Sequence, residues 1–492
     1  MKRTILVLLL LFCSVAALTD AAATAQPRKP NVILILTDDQ GYGDVGRHGN
    51  PILQTPNLDR LHDESVRFTD FHVSPTCAPT RSALLSGRHD FKNGVTHTIL
   101  ERERMSLKTT TLAQVLKSAG YATGIFGKWH LGDEPEYRPN RRGFDEMFIH
   151  GCGGIGQTYP GSCGDAPRNS YFDPVILHND KFEKTSGYCT DVFFGQAMRW
   201  MKSVKSFNAR RPFFAYITPN APHTPLDVPE QYEKLYAGKV PKNTAKFFGM
   251  VHNIDENVGK LLALLKEQNL ERDTLVIFMN DNGGTGGVQV WNAGMRGAKN
   301  TPYLGGTRAI SFWRWPGTLK PAATDALTGH VDVLPTLAEL AGAKLSAAVK
   351  AQVEGRSLAP LLKDANANWP DRVFVRHIGR WPKGADPNDY KYAQVSVRTK
   401  RWHLVNDNKE NVKRWALYDL QADPGEKSDV ASQHPDIVRQ MEAEYDKWWA
   451  EAQPFLVNEN APQPAINPYH GQYWKQYKGP GPNNAPPGVK PK

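Results

Sequence analysis

Short unbroken apolar runs alternate with stretches of helical spacing along most of this chain. Residues 32–36, 121–126, 213–217 and 274–279 are runs of five or six positions without a charged side chain. A strand covered on both faces has this pattern, because neither row of its side chains meets water. Residues 111–119 and 252–267 instead repeat their apolar positions at helical spacing. The alternation of the two kinds of segment from residue 31 to about 340 predicts an α/β domain with a largely parallel sheet. Near Trp369-Pro370 the pattern changes. Residues 373–377, 392–398 and 402–405, separated by polar turns, read as antiparallel strands, and 435–449 reads as an amphipathic helix. The expected organisation is a large domain over 26–368, a smaller α+β subdomain over 369–455, and a tail over 456–492. The tail is rich in Pro, Gly and Asn and predicts no regular structure. Its Tyr469, Tyr473, Trp474 and Tyr477 are suited to packing part of it onto the body. No internal repeat is visible.

The first 25 residues change the expected compartment. Lys2 and Arg3 precede an apolar stretch over 5–18, and Ala23-Thr24-Ala25 has the small-x-small form of a leader cleavage site. The stretch is short for an uncleaved membrane anchor. No other apolar run is long enough to cross a bilayer, so the mature chain is expected to be exported, to a periplasm or the outside. The formal charge of +10 favours anionic partners. Export and the lack of any nucleic-acid motif argue against DNA or RNA, and point to a sulfated polymer or an acidic envelope. Apart from Cys13 in the leader, four cysteines remain. Cys152 and Cys163 flank a Gly-rich loop and are candidates to pair, with Cys189 an alternative partner for either.

Polar residues suited to catalysis follow each apolar run, and ligands of open α/β sheets bind beyond the carboxyl ends of the strands. Asp38-Asp39 follow the first run, and Asp281-Asn282 follow the run at 274–279. These oxygen donors suit a hard divalent cation, Ca²⁺ or Mg²⁺. No Cys/His cluster with zinc spacing accompanies them. Lys128-Trp129-His130 follow the run at 121–126, and Pro222-His223-Thr224-Pro225 follow the run at 213–217. Lys299 lies in Arg296-Gly297-Ala298-Lys299, ahead of Tyr303-Leu304-Gly305-Gly306-Thr307-Arg308. Pro79-Thr80-Arg81 open a predicted helix that Gly87 ends. Cys77 is thereby placed near a helix N-terminus, which favours a bound anion.

Taken in order, these segments resemble the sulfatases over nearly all of the mature chain: DDQGYGD at 38–44, CAPTR at 77–81, GKWHLG at 127–132, PHTP at 222–225, NDNGG at 280–284, then GAK before YLGGTR. Two departures are small: Ser86 stands where the family more often has Thr, and Phe126 precedes Gly127 where a smaller residue is usual. The resemblance implies an alkaline-phosphatase-like fold, a large mixed, mostly parallel sheet sandwiched by helices, with a smaller C-terminal α+β subdomain carrying an antiparallel sheet. It implies sulfate-ester hydrolysis, with Cys77 oxidised after synthesis to Cα-formylglycine by a formylglycine-generating enzyme. One divalent cation, usually Ca²⁺ with Mg²⁺ as the alternative, is expected on Asp38, Asp39, Asp281, Asn282 and modified residue 77. In the family scheme the hydrated aldehyde attacks sulfur and Arg81 holds the diol. Lys128 and Lys299 bind sulfate oxygens, His223 protonates the leaving alcohol, and His130 takes the proton whose loss expels sulfate. Arg376, His377 and Arg380, in the C-terminal subdomain, are the candidates to read a sugar, as are Arg88-His89. Twelve tryptophans, export and the basic charge favour a sulfated carbohydrate as substrate. Two other readings remain at this point: a phosphomonoesterase or phosphonate hydrolase on the same fold, and a sulfated-glycan binder without catalysis.

Overall fold

The computed structural model describes residues 29–478. The leader-like segment and Cys13 lie outside the described residues. In chain order the strands are β1 (Asn31–Thr37), β2 (Val66–Phe68), β3 (Phe71–His72), β4 (Ala122–Lys128), β5 (Glu146–His150), β6 (Val175–His178), β7 (Lys181–Lys184) and β8 (Phe213–Thr218). Then come β9 (Thr274–Asn280), β10 (Ser311–Arg314), β11 (Ala322–Thr324), β12 (Thr328–Gly329), β13 (Phe374–His377), β14 (Val395–Arg398), β15 (Trp402–Asn406) and β16 (Ala416–Asp419). Ten of them form one mixed sheet in the order β11-β2-β10-β9-β1-β8-β4-β5-β6-β7. Its central block, β9-β1-β8-β4-β5, is parallel throughout. Antiparallel strands flank it, β10 on one side and β6 and β7 on the other.

The four apolar runs of the sequence are the four central strands β9, β1, β8 and β4. Alternate residues of β1 enter two different cores. Val32, Leu34 and Leu36 pack with the helices Cys77–Ser86, Leu112–Ser118 and Val333–Leu340. Ile33 and Ile35 pack with the helices Pro56–Asp63, Cys189–Phe207 and Lys242–Glu267. Helices therefore cover both faces, which is why these strands lack polar alternation.

The helix Lys242–Glu267 starts well before the predicted position 252. Its first turns are apolar on more than one side: Phe247, Phe248 and Val251 fill a core with Leu53 and Tyr236, while Met250 and Ile254 face the sheet. Burial on two sides blurs the periodicity that marks a helix with one wet face.

The second sheet is antiparallel, in the order β13-β14-β15-β16. Val395, Val397, Leu404 and Leu417 pack there against Met441, Tyr445, Trp448 and Trp449 of the helix Pro435–Ala452. The strand β16, Ala-Leu-Tyr-Asp at 416–419, was not among the strands expected from the sequence. The tail corrects the expectation of no regular structure, because Pro468–Tyr477 is a helix. Asn467 caps it by accepting from the amides of Tyr469 and His470, and Pro468 supplies a preset first turn. Tyr469 and Tyr473 then pack edge-to-face against Phe182 of β7, and Arg138 lies over the Tyr469 ring.

Candidate active site

Four parallel strands deliver the site from one edge of the sheet. Thr37 at the end of β1 lies in register with Asn280 at the end of β9. The next residues of each, Asp38-Asp39 and Asp281-Asn282, are therefore side by side. Lys128 ends β4, Thr218 ends β8, and the following turn carries His223 between the cis peptide bonds Ala221-Pro222 and Thr224-Pro225. The wholly buried helix Cys77–Ser86 begins at Cys77 itself and ends at Gly87. Its first turn thus points free backbone N–H groups at this edge.

Asp38, Asp39 and Asp281 are met by Lys128, Lys299 and Arg81. Lys128 Nζ donates to Asp38 Oδ2 at 2.6 Å, and Lys299 Nζ to Asp39 Oδ1 at 2.5 Å. Arg81 donates to Asp281 Oδ2 from Nε at 3.2 Å and Nη2 at 2.8 Å. Its Nη1 reaches the Lys128 carbonyl at 3.1 Å and Thr218 Oγ1 at 2.5 Å. Three carboxylates and three cations thus balance in a nearly dry space. Burial pushes Asp39 upward, but Lys299, His223 and Lys128 outweigh it and hold it below the usual carboxylate range. Burial and the neighbouring Asp38 push Asp281 up to about 6, against the pull of Arg81 and Lys128.

The donor set fits a divalent cation. The Oδ1 atoms of Asp38 and of Asn282 are buried and have no hydrogen-bond partner among the described residues. Such atoms are costly unless something else satisfies them. One ligand atom each from Asp38, Asp39 and Cys77 lie within 4.8 Å of one another. Carboxylate and amide oxygens select a hard cation such as Ca²⁺.

A cavity of about 300 Å³ opens beside this cluster, with Cys77, His130, His223 and Lys299 on its wall. His130 Nε2 lies 2.7 Å from the Thr98 carbonyl and must donate to it, which leaves Nδ1 a buried acceptor without a hydrogen-bond partner among the described residues. Burial and Lys128 hold His130 far below the ordinary histidine value, so it is a neutral base. A Cβ at position 153 would sit 2.6 Å from His130 Cε1, so only glycine leaves the ring its place. His223 Nδ1 donates to the Thr224 carbonyl at 2.7 Å, and Nε2 lies 3.8 Å from Asp39 Oδ2. Burial brings His223 down to about 4, despite Asp39, with Lys299 and Lys128 adding to the effect.

Cys77, Arg81, Asp38, Asp39, Lys128, His130, His223, Asp281, Asn282 and Lys299 are thus brought together. Within that group Lys128 is wholly buried, donates to Asp38, and is not among the residues lining the cavity. Of the five candidate sugar readers only Arg380 lines the cavity. Arg376 and His377 are corrected: both are buried and turned to structural partners. Arg376 donates to the carbonyls of Val73 and Val375, and His377 contacts the Tyr390 carbonyl and stacks on Trp449. Arg88 and His89 are likewise held within the fold, on Asn93 and on Val375. Cys152 pairs with Cys163, and Cys189 is a free, buried thiol. The loop this disulfide closes supplies Gly153, Gln157 and Tyr159 to the cavity wall.

Thr218, Tyr171 and His97 carried no sequence signal. Thr218 receives Arg81, and Tyr171 donates to the carbonyls of Asn220 and His223 and so props the His223 turn. Thr218 ends an apolar run and Tyr171 lies in the polar stretch 168–173, and only the fold gives them these partners.

The comparisons with known proteins agree with this geometry. The sulfatase family model matches residues 30–343, and a model for the C-terminal part of N-sulphoglucosamine sulphohydrolase matches 303–450. Human arylsulfatase A is 31% identical over 476 residues, covering 86% of this chain and 88% of that protein. The N-acetylgalactosamine-6-sulfatase of Canis lupus familiaris is 29% identical over 482 residues, 88% of each chain. Among solved structures, Ps i-CgsB in complex with k-i-k-neocarrahexaose superposes with a TM-score of 0.74 at 28% identity. That match covers 92% of this chain and 98% of the other.

Proposed function

This chain belongs to the sulfatase family, enzymes that hydrolyse sulfate esters, and on that premise we propose that it removes sulfate from a carbohydrate with residue 77 as nucleophile. The observation that carries the reading is the position of Cys77. It begins a buried helix, lies within ligand distance of Asp38 and Asp39, and shares a cavity wall with His130, His223 and Lys299.

Asp38, Asp39, Asp281 and Asn282 would hold Ca²⁺, with Mg²⁺ the alternative. The cation supplies positive charge that acidifies a nearby hydroxyl and draws electrons from sulfate oxygen. Cys77 converted to formylglycine would supply, as its hydrate, the hydroxyl that attacks sulfur. The chain's other residues prepare that event. Arg81 fixes the Asp281 carboxylate with two donors and ties it to the ends of β4 and β8. Lys128 fixes Asp38 through its hydrogen bond and adds positive charge beside it. Lys299 is the cation that reaches the sulfate oxygens, where charge grows as the ester bond breaks.

The two histidines divide the proton work. His130 offers an unpartnered Nδ1 as base to residue 77. His223 protonates the departing alcohol from Nε2. Bound sulfate offsets Lys299 and Lys128, two of the influences that lower His223, and so raises its proton affinity when the acid is required.

A carbohydrate substrate is supported by the net charge of +10 and by relatives that handle such ligands, the N-acetylgalactosamine-6-sulfatase and Ps i-CgsB with its neocarrahexaose. Export belongs to the same reading, through the leader-like first 25 residues and the disulfide. No helix among the described residues is long and apolar enough to cross a membrane.

The test is sulfate release from carrageenan, chondroitin and heparan oligosaccharides and from an aryl sulfate, beside the matched phosphate esters. The protein is matured by a formylglycine-generating enzyme and loaded with Ca²⁺. Sulfate release from at least one glycan, above release from the phosphate esters, is expected. Release of phosphate faster than sulfate, or of sulfate from the aryl ester alone, would contradict the proposal.

A further inference from the structure

One cation on the cavity wall, Arg380, has no carboxylate in contact with it among the described residues. Arg380 Nη2 donates to Thr98 Oγ1 at 3.0 Å, while Nε is buried without a hydrogen-bond partner among the described residues. No carboxylate lies within 4.0 Å of its guanidinium among them. Other arginines of the fold also keep one unpartnered nitrogen among the described residues, Arg102 Nη2 beside Glu459, Arg398 Nε beside Asp70 and Arg376 Nη2, but Arg380 alone of these lies on the wall of this cavity. Burial pulls the Arg380 value down and outweighs the opposing pull of Cys77 and Asp39, neither of which touches the guanidinium.

The backbone holds Arg380 in this position. Its φ is +64°, unfavourable for a side chain of this size, and its N–H donates to the Thr96 carbonyl at 3.1 Å. Gly379 allows the approach, since a Cβ there would lie 2.0 Å from the same oxygen. Lys383 Nζ bonds Glu101 Oε2 at 2.5 Å and pins the far end of the turn to the same loop.

That loop brings a second donor. His97 Nδ1 accepts from the amides of Thr98 at 2.7 Å and Ile99 at 3.2 Å, so the ring proton must be on Nε2. His97 is kept neutral, pushed down to about 2 by burial with help from Arg102 and Arg380. His97 and Arg380 line the same cavity as Cys77 and Lys299.

We propose that Arg380 and His97 form a receptor for a second anionic group, a carboxylate or a further sulfate, on the sugar whose sulfate ester meets residue 77. A neutral hydroxyl would accept a hydrogen bond but leave the half-buried charge uncompensated, whereas an anion satisfies both. The inference rests on the sulfatase reading and deepens it to a class of substrate, the doubly anionic sugars.

The experiment pairs compounds that differ by one charge: glucose 2-sulfate with glucuronate 2-sulfate, and glucose 6-sulfate with glucose 3,6-disulfate. Each is measured as an inhibitor of aryl sulfate turnover by the mature protein. Each is also titrated calorimetrically into the Cys77→Ala protein, a readout that does not depend on turnover. The extra anion should tighten binding by about 10- to 100-fold in at least one pair, the range of a charge-assisted hydrogen-bond pair. Arg380→Gln should abolish the difference, and Arg380→Lys should restore part of it. Discrimination in the glucuronate pair assigns the site to a carboxylate, and in the disulfate pair to a second sulfate. The proposal is overturned if neither pair is discriminated, if Arg380→Gln keeps the preference, or if that substitution weakens both members of a pair equally. A failure of the sulfatase reading is separable, because it leaves the aryl sulfate uncleaved while the titrations still report on Arg380.

Discussion

Replacing Arg81 by Met tests how the site is held together. The substitution keeps most of the apolar stem and removes a guanidinium with four hydrogen bonds, two of them to Asp281. Both partners are fully buried. Removing one member of a buried pair strands the other charge and costs about 3–5 kcal/mol. A chain of this length unfolds with an entropy of about 1 kcal/mol per kelvin, so the midpoint should fall by about 3–5 °C in metal-free buffer at pH 8. The loss should shrink towards pH 5.5. Asp281 is raised to about 6 even beside Arg81, and without it rises further. A carboxyl raised in the folded state favours folding while protonated, and that stability is lost as pH climbs through the folded value. Added Ca²⁺ should also shrink the loss, since it replaces the missing counter-charge. Scanning calorimetry at the two pH values, with EDTA and with Ca²⁺, measures all of this. An unchanged midpoint at pH 8 in EDTA, or a deficit that Ca²⁺ enlarges, would refute the reasoning.

His223→Gln should slow release from sugar sulfates by about 10²–10⁴-fold. It should slow p-nitrophenyl sulfate far less, because that leaving group departs without a proton; equal losses on both would remove His223 from the acid role. Calcium affinity, read by calorimetry, should rise with pH through about 6, as Asp281 gives up its proton to become a ligand. A pH-independent affinity between 5 and 8 would contradict that account. Replacing Cys152 and Cys163 by Ser opens a short loop, with 11 positions separating the two cysteines, and should cost about 3 kcal/mol. Because Gln157 and Tyr159 lie in that loop and line the cavity, KM for a sugar sulfate should rise more than kcat falls.

The metal and nucleophile residues were legible because strands buried on both faces announce their ends. The apolar runs stop at Thr37 and Asn280, and the next polar residues fall at the edge where ligands bind. Facing was not legible. Arg376, His377 and Arg380 lie within five positions, yet two turn into the fold and one into the cavity. That outcome depends on the positive φ of Arg380 and on its contact with Thr96, a residue 284 positions earlier. Lys128 reads as a sulfate ligand, and its hydrogen bond to Asp38 emerges only when β4 and β1 are placed with β8 between them. The helix Pro468–Tyr477 was hidden by tail composition, since its support is tertiary, from Phe182 and Arg138.

The central claim is that residue 77, once modified, is the nucleophile for sulfate release. The direct measurement is sulfate release by Ca²⁺-loaded protein co-expressed with a formylglycine-generating enzyme, with the mass of the residue 77 peptide read on the same sample, beside Cys77→Ala. The account predicts release in proportion to the aldehyde content and none from Cys77→Ala. Release that persists in Cys77→Ala, or that does not follow the aldehyde content, would contradict it.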